Sequence, residues 1–168
     1  MSDKKMTWGL LVAWLAHDLE ELATMSSWTR AQPRVPTVTR AESAIAIGAV
    51  GVVMAAAAAD GARTGGRSRF FQTALTGFGL HAFTHLSASA LFRGYTPGVL
   101  TAPTVVLPYS VWAWRTLRRD GRWTGGGTGA LAWFPVAVGA AHLIARACRR
   151  PAGGRPGGHS LTSALAGR

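Results

Sequence analysis

Residues 6–21 read MTWGLLVAWLAHDLEE, in which an apolar run from Met6 to Ala16 passes directly into the charged segment HDLEE, residues 17–21. Three of the seven acidic residues of the chain lie in this short segment. On one continuous helix, residues three and four apart share a face, so His17, Glu20 and Glu21 would project together. Charged groups in an apolar helix are kept where they face protein or a cavity. The stretch therefore predicts a helix that carries a buried polar site.

The composition around this stretch is that of a membrane protein. The chain has 168 residues, of which 48% are hydrophobic and only 15% charged, with 21 glycines. A soluble domain usually has about 25% charged residues. We therefore expect an all-α fold, a polytopic transmembrane helix bundle.

Five segments have the length or the partner pattern of spanning helices, which need about 20 mostly apolar residues each. We predict them at Thr7–Met25, Ala41–Ala59, Phe70–Phe92, Pro97–Leu117 and Ala130–Cys148. Gly48 and Gly51 give the second segment a small-residue surface for close helix packing. Thr96 is the predicted N-cap of the fourth segment, with Pro97 as its first helical residue. We expect one domain over residues 1–150, with the N-terminal segment retained as a helix, and a disordered basic tail over residues 151–168.

The charge distribution predicts membrane lipids as partners. The net charge is +11, and the arginines are dispersed between apolar runs, where anionic lipid headgroups attract them. Nucleic-acid binding is not expected, because aromatic residues are not interleaved with the basic ones. The 18 Lys and Arg residues divide nine and nine between the two sides, so orientation is left open. We expect an integral, multi-pass protein of the cell (inner) membrane.

Three further histidines lie in apolar segments and extend the candidate site. His81 and His85 are one helical turn apart in the third segment, and His142 lies in the fifth. Together with His17, Glu20 and Glu21 they are six candidate metal ligands, suited to iron, zinc or manganese. Cys148 is the only cysteine, which excludes a cysteine-based zinc site.

Two alternatives stay open at this stage. The HDLEE segment would be solvated if the first helix ended there and emerged into water, since residues 6–16 alone are too short to cross a bilayer. His142 would serve equally well as a partner for backbone carbonyls near a helix end.

Asp18 points about 100° away from His17 on a helix, which favours an outer or opposite-face position.

Two motifs in order carry a resemblance to a known family. The segment HDLEE at 17–21, followed by YTPG at 95–98 with Thr101 and Pro108, resembles the HXXEE family of small integral membrane proteins. The resemblance extends from the first helix to about His142. It implies a polytopic fold and a site at His17, Glu20 and Glu21, extended here to His85. It implies no reaction.

The preferred functional hypothesis is a metal-dependent membrane enzyme that acts on a lipophilic small molecule. His17, Glu20 and Glu21 would carry the catalysis, with His81, His85 and His142 completing the metal ligands. Oxidative chemistry such as hydroxylation or desaturation is the natural use of iron held by histidine and carboxylate.

Two other functions fit the same residues. In a metal-free isomerase or cyclase on a polyene or isoprenoid, one carboxylic acid would donate a proton and a histidine accept one. Trp14, Phe78 and Phe83 would then stabilise a carbocation. In a proton-coupled carrier or a membrane assembly protein, the same charges would relay protons or hold helices together. A homodimer would supply the two halves that a transporter usually has.

Overall fold

The five predicted segments correspond to five α-helices in a computed structural model, which describes residues 3–125 and 130–149. The helices are α1 (Asp3–Ala31), α2 (Arg40–Arg63), α3 (Arg69–Phe92), α4 (Leu107–Arg119) and α5 (Ala130–Arg149). A five-residue π-helical turn, Ala102–Val106, leads directly into α4. The described residues contain no β-strand, so the all-α prediction is confirmed for them. The tail predicted over residues 151–168 lies outside the described residues.

Helix α1 is longer than predicted and carries the HDLEE segment at its middle. Its 29 residues give it a length of about 43 Å at 1.5 Å per residue. His17 lies midway along it and is buried, and the helix continues past Glu21 to Ala31. The alternative in which the helix ends at HDLEE and emerges into water is therefore wrong.

Helix α2 is the packing centre that the small residues predict. It contacts α1, α3 and α5, and a capping box between Thr39 and Glu42 starts it. A Cβ at Gly51 would lie 2.8 Å from the ring of Trp14, so this glycine permits the close approach of α1. Gly48 faces open space instead. By contrast, α1 and α3 share the least extensive contact of any packed pair among the described helices.

The start of the fourth segment differs from the prediction. Thr96 does not cap a helix beginning at Pro97, and residues 97–100 form a turn instead. The turn contains Gly98 at φ +83°, a left-handed conformation that an α-helix excludes. The Thr96 hydroxyl donates to the carbonyl oxygen of His85, 3.4 Å away, so it ties the turn to α3. The fourth helix therefore starts later than predicted, and the residues before it form a loop beside the candidate site.

The outer surface of α1 is apolar. Its exposed large side chains are spaced at helical intervals along one face, and they are Trp8, Val12, Leu15 and Leu19. Its polar residues His17 and Asp18 do not belong to this face and are buried. Among the described residues, α2 is the one helix that is long and apolar enough by itself to cross a membrane.

Gln72 fastens the α2–α3 connection to the chain beyond α4. Its Nε2 donates to the carbonyl oxygens of Gly66 at 2.9 Å and Arg122 at 2.8 Å, and its Oε1 accepts from the backbone and hydroxyl of Thr124. Gln72→Leu leaves the buried carbonyl oxygen of Gly66 without its partner, so we expect the free energy of unfolding to fall by about 1 to 3 kcal/mol. Thermal unfolding in detergent, followed by circular dichroism, measures it. Gln32→Leu, in the loop after α1, is the matched control, and an equal loss in both variants would contradict the assignment.

Candidate metal centre

Four side chains from two helices converge at the centre of the bundle. Helix α1 supplies His17 and Glu21, and α3 supplies His81 and His85, each pair one turn apart on its helix. One ligand atom from each of the four lies within 4.8 Å of the others. The structure thus brings together four of the six predicted ligands.

The histidine Nε2 atoms are the atoms that meet. His85 Nε2 lies 3.1 Å from His17 Nε2 and 2.8 Å from His81 Nε2. Glu21 Oε1 lies 3.3 Å from His85 Nε2 and 3.9 Å from His17 Nε2. His85 is therefore at the centre of the group, and the carboxylate of Glu21 closes one side.

The partners of the Nδ1 atoms determine which ring nitrogen carries the proton. His85 Nδ1 lies 2.7 Å from the carbonyl oxygen of Pro97, which can only accept, so this nitrogen donates. The Thr84 hydroxyl donates to the carbonyl oxygen of His81, so it accepts from His81 Nδ1 at 3.1 Å. A neutral imidazole with a proton on Nδ1 has its lone pair on Nε2, the usual geometry of a metal-binding histidine.

Glu20 and Thr101 set the same tautomer at His17. The Thr101 hydroxyl donates to Glu20 Oε2 at 2.6 Å and accepts from His17 Nδ1 at 2.7 Å. Glu20 also accepts from the backbone nitrogens of Leu100 and Thr101 and from the hydroxyl of Tyr95. Partial burial raises the pKa of Tyr95, which keeps this phenol protonated as a donor. Glu20, predicted as a ligand, thus lies outside the group of four and orders the loop that orients His17.

Gly98 lies directly against two of the imidazole rings. A Cβ at this position would be 2.5 Å from His85 Cε1, 2.6 Å from His85 Nδ1 and 2.8 Å from His17 Cε1. The close approach of the 97–101 turn therefore requires a glycine both for its space and for its positive φ. Sequence reasoning missed this role, although the YTPG motif contains the residue.

Comparison with known proteins places the chain in a family. The family described as "Protein of unknown function with HXXEE motif" matches residues 8–113. The chain belongs to the HXXEE family. No curated protein and no solved structure matches the chain.

The residues that match the HXXEE family include the whole group of four. In the HXXEE motif, His17 and Glu21 join the group, while Glu20 contacts Thr101 across the α1–loop boundary. His81 and His85 also lie within the matched residues 8–113. His142 lies beyond them, and its side chain is outside the described residues, so its predicted role stays a prediction.

A cavity of about 330 Å³ adjoins the HXXEE motif. Glu21, His81 and His85 line it on the polar side. Its apolar wall includes Trp14, Met25, Ile47, Val50 and Ala141, from α1, α2 and α5. Asp18 also lines it without joining the group of four, which is the outer position and not the opposite-face position of the two predicted for this residue. A largely apolar cavity beside convergent polar groups is the usual form of a small-molecule site.

Proposed function

We propose that this protein is a metal-dependent membrane enzyme in which His17, Glu21, His81 and His85 bind one divalent metal ion beside a cavity for a lipophilic substrate. The observation that carries the proposal is the convergence of three histidine Nε2 atoms whose Nδ1 atoms are all engaged elsewhere. Lone pairs that face one another at about 3 Å repel, and a cation placed among them turns the repulsion into ligation.

The chemistry of the four side chains suits a borderline metal ion. Imidazole nitrogen with carboxylate oxygen is the donor set of iron, manganese and zinc sites. The hydrogen bonds to Pro97, Thr84 and Thr101 are the outer partners that such a site needs to orient its histidines. Glu20 serves in this proposal as a positioning residue, since it contacts His17 only through Thr101.

The metal-free isomerase or cyclase is less well supported. Of the three aromatic side chains proposed to stabilise a carbocation, Trp14 lines the cavity, whereas Phe83 is about half exposed on the outside of the bundle. Phe78 packs edge-on against His17, with ring centroids 6.0 Å apart. The aromatic rings therefore do not surround one position in the cavity.

We further propose that the reaction is an oxidation of the substrate, a hydroxylation or a desaturation. A bound iron ion would supply the activation of dioxygen. The protein contributes the apolar wall of Trp14, Ile47 and Val50, which holds an aliphatic chain beside the histidines and excludes water from it. Mass spectrometry of lipid extracts incubated with iron-loaded protein and a reductant tests this part. A gain of one oxygen atom or a loss of two hydrogens supports it, and unchanged lipids contradict it.

The surface supports a multi-pass location in the cell membrane. The exposed face of α1 presents Trp8, Val12, Leu15 and Leu19 outward, as a lipid-facing helix would. Taken alone, α1 is not apolar enough to qualify as a membrane span. The reason is that mean hydropathy averages over both faces of the helix, and α1 has polar residues on its inner side. The metal site would then lie near mid-membrane, since His17 is at the middle of α1.

Thr101→Val tests the path from Glu20 to His17. Valine keeps the shape of threonine but removes the hydroxyl that joins the two residues, so we expect the metal affinity to fall about 10- to 100-fold. Competition with a coloured chelator measures the affinity. Thr104→Val is the matched control, since the Thr104 hydroxyl donates only to the carbonyl oxygen of Leu100. Equal affinities in the two variants would contradict the path.

A further inference from the structure

Two polar side chains of the cavity wall lack partners in the described part of the chain. Asp18 is 8% exposed and Ser43 is 3% exposed, and both line the cavity. Ser43 Oγ has no hydrogen bond to the described residues, and the Asp18 carboxylate has neither a hydrogen bond nor a salt bridge with them. Buried polar groups are nearly always hydrogen-bonded, so two such groups at one cavity point to a ligand that completes them.

Asp18 lies beside the four proposed metal ligands but is not one of them. Asp18 precedes Glu21 by three residues on α1, so the two carboxylates share the cavity side of the helix. Ser43 lies in the first turn of α2. The polar lining therefore extends beyond the four proposed ligands, onto α2 as a third helix.

The HXXEE motif also distinguishes Asp18 from the four proposed ligands. HXXEE specifies positions 17, 20 and 21 and leaves 18 and 19 open. Leu19 occupies one open position and points outward, 64% exposed, whereas Asp18 occupies the other and faces the cavity. The motif does not specify residue 18. Because Asp18 faces the cavity, it is positioned to determine which ligand this chain binds.

We propose that Asp18 and Ser43 select a lipophilic alcohol, whose hydroxyl group donates to Asp18 and accepts from Ser43 while its aliphatic chain fills the cavity. The proposal rests on the proposed function and names its substrate class. At about 30 Å³ for each water-sized group, 330 Å³ holds on the order of ten carbon atoms.

The polar groups of the cavity favour a hydroxyl over the other common head groups. An alkane would leave Asp18 and Ser43 without partners, and a charged carboxylate or phosphate would lose its hydration against the largely apolar wall. An ammonium group would be repelled by the proposed metal ion. A hydroxyl group carries no charge and both donates and accepts.

Quenching of tryptophan fluorescence by brominated ligands tests the selection, because Trp14 and Trp28 line the cavity. A terminally brominated decanol, bromodecane and brominated decanoic acid are titrated into the full chain in detergent. We expect saturable quenching by the alcohol at a concentration at least about tenfold lower than by the other two, as two hydrogen bonds to the hydroxyl group provide.

Three variants test which residues cause the preference for the alcohol. Asp18→Ala and Ser43→Ala are each expected to weaken alcohol binding about three- to tenfold, because each removes one hydrogen bond to the hydroxyl group. Asp120→Ala is the matched control, because this carboxylate pairs with Arg119 and Arg122 at the end of α4. Equal binding of alcohol and bromodecane, or an undiminished preference for the alcohol in Asp18→Ala, would overturn the inference.

Metal content measured on the same samples separates this inference from the proposed function. Stoichiometric metal without an alcohol preference overturns the substrate class and leaves the metal site standing. An alcohol preference in protein that takes up no metal supports the selection by Asp18 and overturns the metal-dependent enzyme. Asp18→Ala is expected to retain its metal, because Asp18 is not among the four ligand residues.

Discussion

His85→Ala is expected to abolish stoichiometric metal binding. His85 Nε2 is the central atom of the group, within 3.3 Å of His17, His81 and Glu21. Its loss leaves three ligands that are spread around an empty centre, so the decrease in metal affinity should exceed the roughly 100-fold upper range for outer-partner variants. Inductively coupled plasma mass spectrometry on protein purified in detergent from metal-supplemented cells measures the effect.

The control for this variant is His159→Ala, which replaces a histidine far from the group in sequence. It is expected to keep one metal ion per chain. Glu21→Gln is the conservative companion, since the amide keeps its size but loses the negative charge, and it should weaken binding without abolishing it. Full metal content in His85→Ala would refute the four-residue site. Metal content lost equally in His159→Ala would show that the measured ion is bound elsewhere.

Gly98→Ala is expected to destabilise the fold and to displace the metal at the same time. The added Cβ would lie within 2.8 Å of both His17 and His85, and the positive φ of +83° is unfavourable for alanine. Backbone strain of about 1 to 2 kcal/mol and overpacking of about 1 to 3 kcal/mol add to roughly 2 to 5 kcal/mol of unfolding free energy. Thermal unfolding in detergent and metal content are measured together.

Gly121→Ala separates the two contributions. Gly121 also has a positive φ, +63°, but a Cβ there would meet nothing within 4 Å. This variant should therefore show the backbone strain alone, about 1 to 2 kcal/mol, and should keep its metal. If Gly98→Ala were no more destabilised than Gly121→Ala, the turn would have room to move away from the imidazoles, and the tight packing at Gly98 would not matter.

The helices and the four residues of the candidate metal centre were predictable from local patterns. The apolar segments located all five helices, although α1 extends six residues beyond the predicted end at Met25. The pairs His17/Glu21 and His81/His85 followed from helical spacing, because residues four apart must share a face. Two histidines one turn apart in an otherwise apolar helix indicate a site more strongly than either one alone.

The role of Glu20 could not be predicted in the same way. Helical spacing allows Glu20 to face either the bundle centre or a neighbouring loop, and its partner Thr101 is 81 residues away in sequence. The π-helical turn and the left-handed Gly98 fix that loop, and neither follows from a local pattern. For Asp18, the angle from His17 left an outer and an opposite-face position open, and the location of the cavity decides between them.

The four ligand residues come from only two helices, α1 and α3, and these two helices otherwise make the least extensive contact in the bundle. A metal ion bound between them would stabilise the contact of α1 with α3, because part of its binding free energy would hold the two helices together. The resting shape of the cavity would then depend on whether the ion is present. Loss of the proposed ion would therefore also loosen the part of the cavity wall that α1 and α3 form.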